Sequence, residues 1–509
     1  MGVDWRKLRK VYVEGGNIPK PTKINKEGFP AYTIDRKLEI INLLMTGSTG
    51  NKFYVSGIQQ VYDLIDTLNS YNDNDFIAKA ILYSRLKGYM RDMPILGLAL
   101  LSVRDIALFK RLAPIVCRTP TDWVKLIDIC RSGIIRRGLG RAVKKAILMG
   151  ISNIDIYQAM KYPDAVRTMI RLARPKETVN PSVIKYIMEH RYDVDDRTEA
   201  LLRLKKTNNP SLAYELIIEY GLPYEVVTSI PNIIKYTETW RALLRVAPYM
   251  NLLRNLSTFY RKGVFSYDED IEYAKNKLTN EVYIRNSKVL PFRYVSAYMS
   301  VNRYPEFPEE LKSSIDYSAV KCLGNIDKLN EDVYVALDDS GSMNSYVTSE
   351  NSKVKLYMIA RTIAWVLLNR AFVTTLSLFG MTVRHNKSER LIQKERLMDF
   401  VLSEPPRGGT SLSAPIEELL SENIRYDRLI FITDNEEWVG DPVIKPLREY
   451  ISRYPDTNVY FLTLTPYRDY PTPDMKNVYY VFGWSDCILR YITSDEYKQL
   501  EEVESIELP

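Results

Sequence analysis

The chain has 509 residues, 46% hydrophobic and 26% charged, with a formal net charge of +7. That is too long for a single core and ordinary for globular protein, so two or three domains are expected, and no apolar run reaches the roughly 18 residues a membrane span needs. Four scattered cysteines and two histidines leave little room for a zinc site, a disulfide framework or histidine-based catalysis, and fit a reducing, cytoplasmic setting.

The opening MGVDWRKLRKVYVEGG has basic residues with no apolar stretch behind them, which predicts no signal peptide. From about residue 36 to 300 the pattern is helical. In SGIQQVYDLIDTLNS, Ile58, Val61, Leu64, Ile65 and Leu68 recur every three or four residues. DFIAKAILYSRL, PILGLALLSV, DWVKLIDICRSG, GRAVKKAILMG, SVIKYIMEH, TEALLRLKK, SLAYELIIEY and YMNLLRNLSTFYRK repeat the pattern, with prolines such as Pro114, Pro163 and Pro210 punctuating it. Many short helices in succession predict an α-solenoid, a stack of helical repeats, over residues 1–322.

Residues 301–330 read as a linker. Beyond them the texture changes to apolar strands at VYVAL (333–337), FVTTLSLFG (372–380), RLIFIT (428–433), NVYFLTL (458–464) and NVYYVFG (477–483). Helical stretches at 355–370, 413–422 and 443–454 lie between them. Strands alternating with helices predict a doubly wound α/β domain over 331–509, with ligands at the carboxyl ends of its strands.

The charge is unevenly shared. Residues 1–300 hold 47 Lys+Arg against 30 Asp+Glu, and residues 301–509 hold 23 against 33. A basic front on an acidic back predicts that the helical part meets a polyanion. Its densest basic stretch, RSGIIRRGLGRAVKKAILMG (131–150), carries Arg136, Arg137, Arg141, Lys144 and Lys145 and no acid. Arg141, Lys144 and Lys145 share one helical face. Arg167, Arg171, Arg174 and Lys176 come next, in VRTMIRLARPK. A solvated helix face is the competing reading for any one of them.

VYVALDDSGSM runs a buried strand into a cluster of hard oxygen groups. Asp338, Ser340 and Ser342 form D-x-S-x-S, Thr410 follows a glycine pair, and Asp434 ends the strand RLIFIT. Such oxygens suit Mg²⁺ or Mn²⁺, the alternative being that Ser342, Thr410 and Asp434 cap helices. A haloacid-dehalogenase-type phosphatase would need a second acid where Ser340 stands. No P-loop and no Ser-His-Asp order is present.

The ordered set of D-x-S-x-S, glycine-flanked threonine and strand-end aspartate resembles the metal-ion-dependent adhesion site of von Willebrand factor A domains. That resemblance implies metal contacts by Ser340, Ser342, Thr410, Asp338 and Asp434, with one coordination position open to a partner's carboxylate. YSRLKGYMRDMPILGLALL (83–101), RRGLGRAVKKAI (136–147), LARPK (172–176), RVAPYMNLLRNLS (245–257) and LPFRYVSAY (290–298) resemble the Ro family. Its helical-repeat ring, the TROVE module, is followed by an A-type domain, here with GGT (408–410) and TDNE (433–436).

Similarity to that family implies no catalysis. It implies a monomeric ring that binds small non-coding Y RNAs on a basic outer face and single-stranded 3′ ends of structured or misfolded RNA in its cavity. It also implies that an exoribonuclease can serve as partner. The departure is Val166 before Arg167, where better-known members carry a histidine-lysine pair. The other reading left open is a metal-dependent protein-interaction scaffold.

Overall fold

The computed structural model describes residues 21–25, 29–47, 57–287, 289, 291–322, 329–346, 354–384, 396–436, 440–483 and 499–509. Cys487 and His385 lie outside them. Two compact units result: Pro94–Cys322 is one, and the described parts of residues 1–93 and 323–508 form the other.

Pro94–Cys322 is helical. Its helices run Asp92–Arg104, Ile106–Val116, Pro120–Arg131, Gly140–Ser152, Ile156–Lys161, Pro163–Ala173, Pro181–Met188, Asp196–Lys206, Pro210–Tyr220 and on to Glu309–Lys321. Most pack on neighbours close in the chain, as stacked repeats do. Pro120, Pro163, Pro181 and Pro210 sit in the first helical turn, where a missing N–H costs nothing, so these prolines start helices rather than merely separate them. Asp105, Thr119 with Asp122, Asp155, Asp195 and Asn209 cap helix N-termini with their side chains. Four acids of this unit, Asp105, Asp122, Asp155 and Asp195, are thereby committed to its own backbone.

Inside the unit, the carboxylate of Asp270 is fully buried between Arg241, at 2.5 Å, and Arg245. Both guanidinium groups lie 4.2 Å from the ring centres of Tyr267 and Tyr273. These arginines tie helices Thr237–Val246 and Asp268–Thr279 together.

The stretch 301–330 is not a plain linker. It contains helix Glu309–Lys321, whose Leu311, Ile315 and Ala319 are buried against helices Asp268–Thr279 and Pro291–Val301. Prolines and acids at 305–310 mask an apolar set spaced by four.

The α/β domain contributes strands β3 (Leu329–Asp338), β4 (Ala371–Phe379), β5 (Val383–Arg384), β6 (Arg428–Thr433), β7 (Asn458–Thr463) and β8 (Val478–Phe482). Near the other end of the chain, β1 (Lys23–Ile24) and β2 (Pro30–Ala31) form a small antiparallel ribbon. The main sheet has the order β5-β4-β3-β6-β7-β8, parallel except for β5. Its strands are apolar on both faces because helices cover both. The chain leaves β3 toward β4 on one side and reaches β6 on the other, so the β3/β6 carboxyl ends form the switch point where such sheets bind ligands.

Residues 29–93 belong with this sheet and not with a single helical module 1–322. Tyr32 and Tyr470 exchange backbone hydrogen bonds of 2.8 and 3.3 Å. Asn42, fully buried on helix Arg36–Thr46, donates to the Tyr467 carbonyl at 3.0 Å and the Tyr470 hydroxyl at 2.8 Å. That helix packs on β8. The Gln499 side chain closes the outer edge of β8 by accepting from Phe482 N at 3.0 Å and donating to Phe482 O at 3.1 Å, as a neighbouring strand would. Helical periodicity reports which face is apolar but not what that face packs against. In helix Gly57–Asn69, Leu64, Ile65 and Leu68 are buried while Ile58 is 72% exposed.

Candidate metal centre and nucleic-acid surface

Pairing of Leu337 with Ile432 puts Asp338, one step on, beside Thr433. The Thr433 hydroxyl donates to Asp338 Oδ2 at 2.6 Å, and Ser340 N donates to Oδ1 at 2.9 Å. The hydroxyl oxygens of Ser340 and Ser342 are 3.0 Å apart. Glu436 N donates to Asp434 Oδ1 at 3.2 Å, while Asp434 Oδ2 is buried with no hydrogen-bond partner. All five sequence-predicted residues, Asp338, Ser340, Ser342, Thr410 and Asp434, are buried.

Backbone hydrogen bonds stitch the Thr410 loop to the serine loop and to Gly380, the residue after β4. Gly341 N donates to Gly408 O at 3.0 Å, Arg407 N to Asp339 O at 3.1 Å, and Ser411 N to Gly380 O at 2.7 Å. Gly408 has φ +102°, a conformation that favours glycine, and this turn brings the Thr410 loop to the serine loop. Asp339, between the two ligand-type residues, is held instead by Arg361 at 3.1 Å.

Helix capping does not account for this loop. Helix Ser413–Glu422 starts after Leu412 with no side-chain cap, and the short turn Gly341–Asn344 has none either. Thr433 and Arg361 were not singled out from sequence. The TDNE segment holds the threonine, but only strand register reveals that it faces Asp338.

Burial pushes the Asp338 carboxyl up to about 6, against hydrogen bonds from Ser340 and Thr433 that pull it down. Burial, then the nearby Asp338 charge, pushes Asp434 up to about 7. Two buried carboxylates that resist ionising together, with one oxygen orphaned, lack a positive charge. Among the described residues no group of three or more His, Cys, Asp or Glu forms. A cation here would rest on hydroxyl oxygens as well as two carboxylates, the donor chemistry of hard divalent ions.

The basic residues fall on adjoining elements. Helices Gly140–Ser152 and Pro163–Ala173 pack together. Val143, Ala146, Ile147, Gly150 and Ile151 face inward, and a Cβ at Gly150 would come within 2.6 Å of the Trp123 ring, so glycine permits that approach. Arg141, Lys144 and Lys145 point the other way and are exposed, as are Arg137, Arg171, Arg174 and Lys176. None of these seven has an ion-pair partner among the described residues.

Two of the predicted set differ. Arg136 is half-buried and donates to Ser102 Oγ at 3.2 Å, and Arg167 is paired with Asp164 at 2.6 Å. Arg174 caps its helix in the left-handed region, φ +52° and ψ +62°, which costs an L-residue roughly 1–2 kcal/mol.

A stack of helices joined in one chain to a doubly wound sheet, with an all-oxygen cluster at its switch point, defines a helical-repeat protein with a von Willebrand A-type domain. A model of the TROVE domain matches residues 234–330, and a model of the Ro60 von Willebrand A domain matches residues 333–454. The chain is 23% identical over 460 residues to the RNA-binding protein RO60 of Deinococcus radiodurans, covering 82% of this chain and 83% of that one. It is 23% identical over 306 residues to the RNA-binding protein RO60 of Caenorhabditis elegans, covering 54% of this chain and 44% of that one. The crystal structure of the Deinococcus radiodurans Ro (RSR) protein superposes with a TM-score of 0.65 at 18% identity, over 89% of this chain and 98% of that one. Two consecutive segments of the chain thus match domains of the Ro type, a TROVE domain and, toward the C-terminus, a von Willebrand A domain of the Ro60 kind. The relatives bear the name of a binding protein, not of an enzyme. No helix among the described residues is long and apolar enough to cross a membrane.

Proposed function

We propose that this chain binds RNA. The observation that carries the reading is the basic surface of helix Gly140–Ser152, which holds no acid, and helix Pro163–Ala173, whose one acid, Asp164, is paired with Arg167; there Arg141, Lys144, Lys145, Arg171 and Arg174 stand exposed with no ion-pair partner among the described residues. Unpaired cations on a rigid pair of helices suit phosphates, whose neutralisation supplies most non-specific affinity. Arg136 and Arg167 belong to the same surface but are engaged by Ser102 and Asp164, so they support the helices more than they bind. The relatives named as RNA-binding proteins favour RNA over other polyanions.

In finer terms, small non-coding Y-like RNA would lie on this outer face, with single-stranded 3′ ends of structured or misfolded RNA entering a cavity of the helical module. The role is RNA quality control or processing in the cytoplasm by a monomeric protein, with an exoribonuclease as partner. A Mg²⁺ or Mn²⁺ ion would be held by Asp338, Ser340, Ser342, Thr410 and Asp434. Bound there, it would supply the missing positive charge and an open position for an oxygen ligand. Asp338 and Asp434 would hold it as carboxylates, Thr433 would keep Asp338 oriented, and burial would exclude water.

Ultraviolet cross-linking in cells, with sequencing of the attached RNA, tests the reading. Enrichment of structured non-coding RNA, with cross-links in residues 131–176, supports it. Recovery of no RNA, with protein partners released on adding EDTA, would replace it with the metal-dependent scaffold.

A further inference from the structure

Helix Pro163–Ala173 ends on a residue of unusual shape. Arg174 adopts φ +52°, and its N–H closes the helix by donating to Ile170 O at 2.9 Å. This cap uses backbone alone. Glycine would make it without crowding between Cβ and carbonyl, and glycine is the usual choice there. The Arg174 side chain is exposed and meets no partner among the described residues. Nothing in the described fold therefore offsets the strain of placing an arginine at this cap.

The loop beyond Arg174 is rigid. Pro175 comes next, and Glu177–Val179 makes a single 3₁₀ turn packed on helix Gly140–Ser152. Asn180 then reaches back, its side-chain amide donating to Ile151 O at 2.9 Å and Ile154 O at 2.8 Å. Those carbonyls lie at and just past the end of the helix that carries Arg141, Lys144 and Lys145. The loop is thus fastened to the same element as the other exposed cations. Its one acid, Glu177, is exposed.

We infer that Arg174 is a strained, preorganised phosphate contact: the left-handed cap and the Asn180 tie hold its guanidinium out beside the Arg141–Lys145 face, and bound polyanion offsets what the fold does not. This rests on the RNA reading above and adds to it a trade between stability and binding at one position. Local strain kept at a ligand contact is a recurrent arrangement, and a rigid guanidinium loses less freedom on binding than a mobile one.

The test uses the full chain with Arg174→Gly, Arg174→Ala and Arg174→Lys. Each is melted thermally and titrated with a structured RNA bearing a single-stranded 3′ tail, from low to high salt. Arg174→Gly should melt a few degrees higher yet bind about tenfold more weakly at low salt, as expected when one charged hydrogen bond is removed. Its salt slope should fall by about 0.7 to 0.9. Arg174→Ala should show the same weakening of binding without the gain in melting temperature. Arg174→Lys should melt like wild type and bind between the two, since it keeps the charge but not the planar fork.

If Arg174→Gly and Arg174→Ala bind like wild type while Arg141, Lys144 and Lys145 changed together to Glu weaken binding, the inference fails and the RNA reading stands. A melting temperature for Arg174→Gly that does not rise above that of Arg174→Ala also overturns it. If wild type does not bind this RNA at low salt, both fail.

Discussion

The Thr433 hydroxyl donates to Asp338 Oδ2 at 2.6 Å across the pairing of β6 with β3. This hydrogen bond orients a buried carboxylate and favours its charged form, opposing the burial that pushes its pKa up to about 6. Thr433→Val keeps the shape and removes the donor. The Asp338 carboxyl should then ionise less readily, and Mg²⁺ should bind about tenfold more weakly at pH 7, since a charged hydrogen bond is worth roughly 1.5–3 kcal/mol. Calorimetric titration of Mg²⁺ into wild type and variant measures this. Equal affinities would mean that Asp338 does not hold the ion.

Asp338 and Asp434 also set a pH dependence. Their folded-state pKa values, about 6 and about 7, lie above the ordinary value of 3.8. A carboxyl whose pKa is raised by folding contributes stability that is complete below about pH 4 and lost as pH rises through the folded value. Without divalent cation, this pair should therefore cost stability between about pH 4 and pH 7, on the order of 7 kcal/mol if both shifts act in full. A bound cation favours both carboxylates, so the rise in melting temperature on adding Mg²⁺ should grow from pH 5 to pH 8. Paired thermal melts with Mg²⁺ and with EDTA across that range would show it. A Mg²⁺ effect that shrinks as pH rises would contradict it. Asp434→Asn should flatten the profile.

Asn42 joins the first helices to the sheet. Its amide satisfies the Tyr467 carbonyl and the Tyr470 hydroxyl, and it is fully buried. Asn42→Ala removes the donor to both groups, and losing a buried hydrogen bond of this kind costs about 1–3 kcal/mol. Urea unfolding should show a drop of roughly 2–3 kcal/mol for the α/β unit. For the same reason a fragment beginning at residue 323 should be markedly less stable than one co-expressed with residues 21–93. A change of less than about 0.5 kcal/mol for Asn42→Ala would mean that the N-terminal helices do not support the sheet.

The α/β half was legible because strand composition and ligand chemistry coincide there. VYVAL, RLIFIT and NVYFLTL fall within β3, or match or nearly match β6 and β7; Asp338 is the last residue of β3 and Asp434 the first after β6, while Thr410 stands just before helix Ser413–Glu422. Residues such as Thr433, Arg361 and Gln499 were not legible, because their roles depend on register and on which edge the chain returns to. Pro163 and Pro210 read as breaks yet start helices, since the first helical turn needs no N–H from them. The packing of residues 29–93 on β8 leaves no local signal, since an apolar helix face is the same whether a helix or a sheet covers it. Among the basic residues, sequence reports charge but not pairing. Arg136 and Arg167 are equivalent to Arg141 in sequence and differ from it in space, where Ser102 and Asp164 stand beside them.

Binding of RNA by the Arg141–Lys145 face is the central claim, and a salt-dependent titration tests it most directly. Wild type and a variant with Arg141, Lys144 and Lys145 all changed to Glu are titrated with one structured RNA at several salt concentrations. Glu sustains a helix about as well as Lys and Arg, and these side chains point away from Val143, Ala146 and Ile147, so the fold should survive as judged by circular dichroism. Reversing three charges should weaken binding by a factor on the order of 100 at low salt and by less at high salt. The slope of log K on log salt should drop by about 0.7 to 0.9 for each phosphate no longer neutralised. The weakening should be similar across unrelated RNA sequences, because phosphate contacts position a ligand without reading its bases. A folded triple variant that binds as tightly as wild type at low salt, with an unchanged slope, would contradict the account.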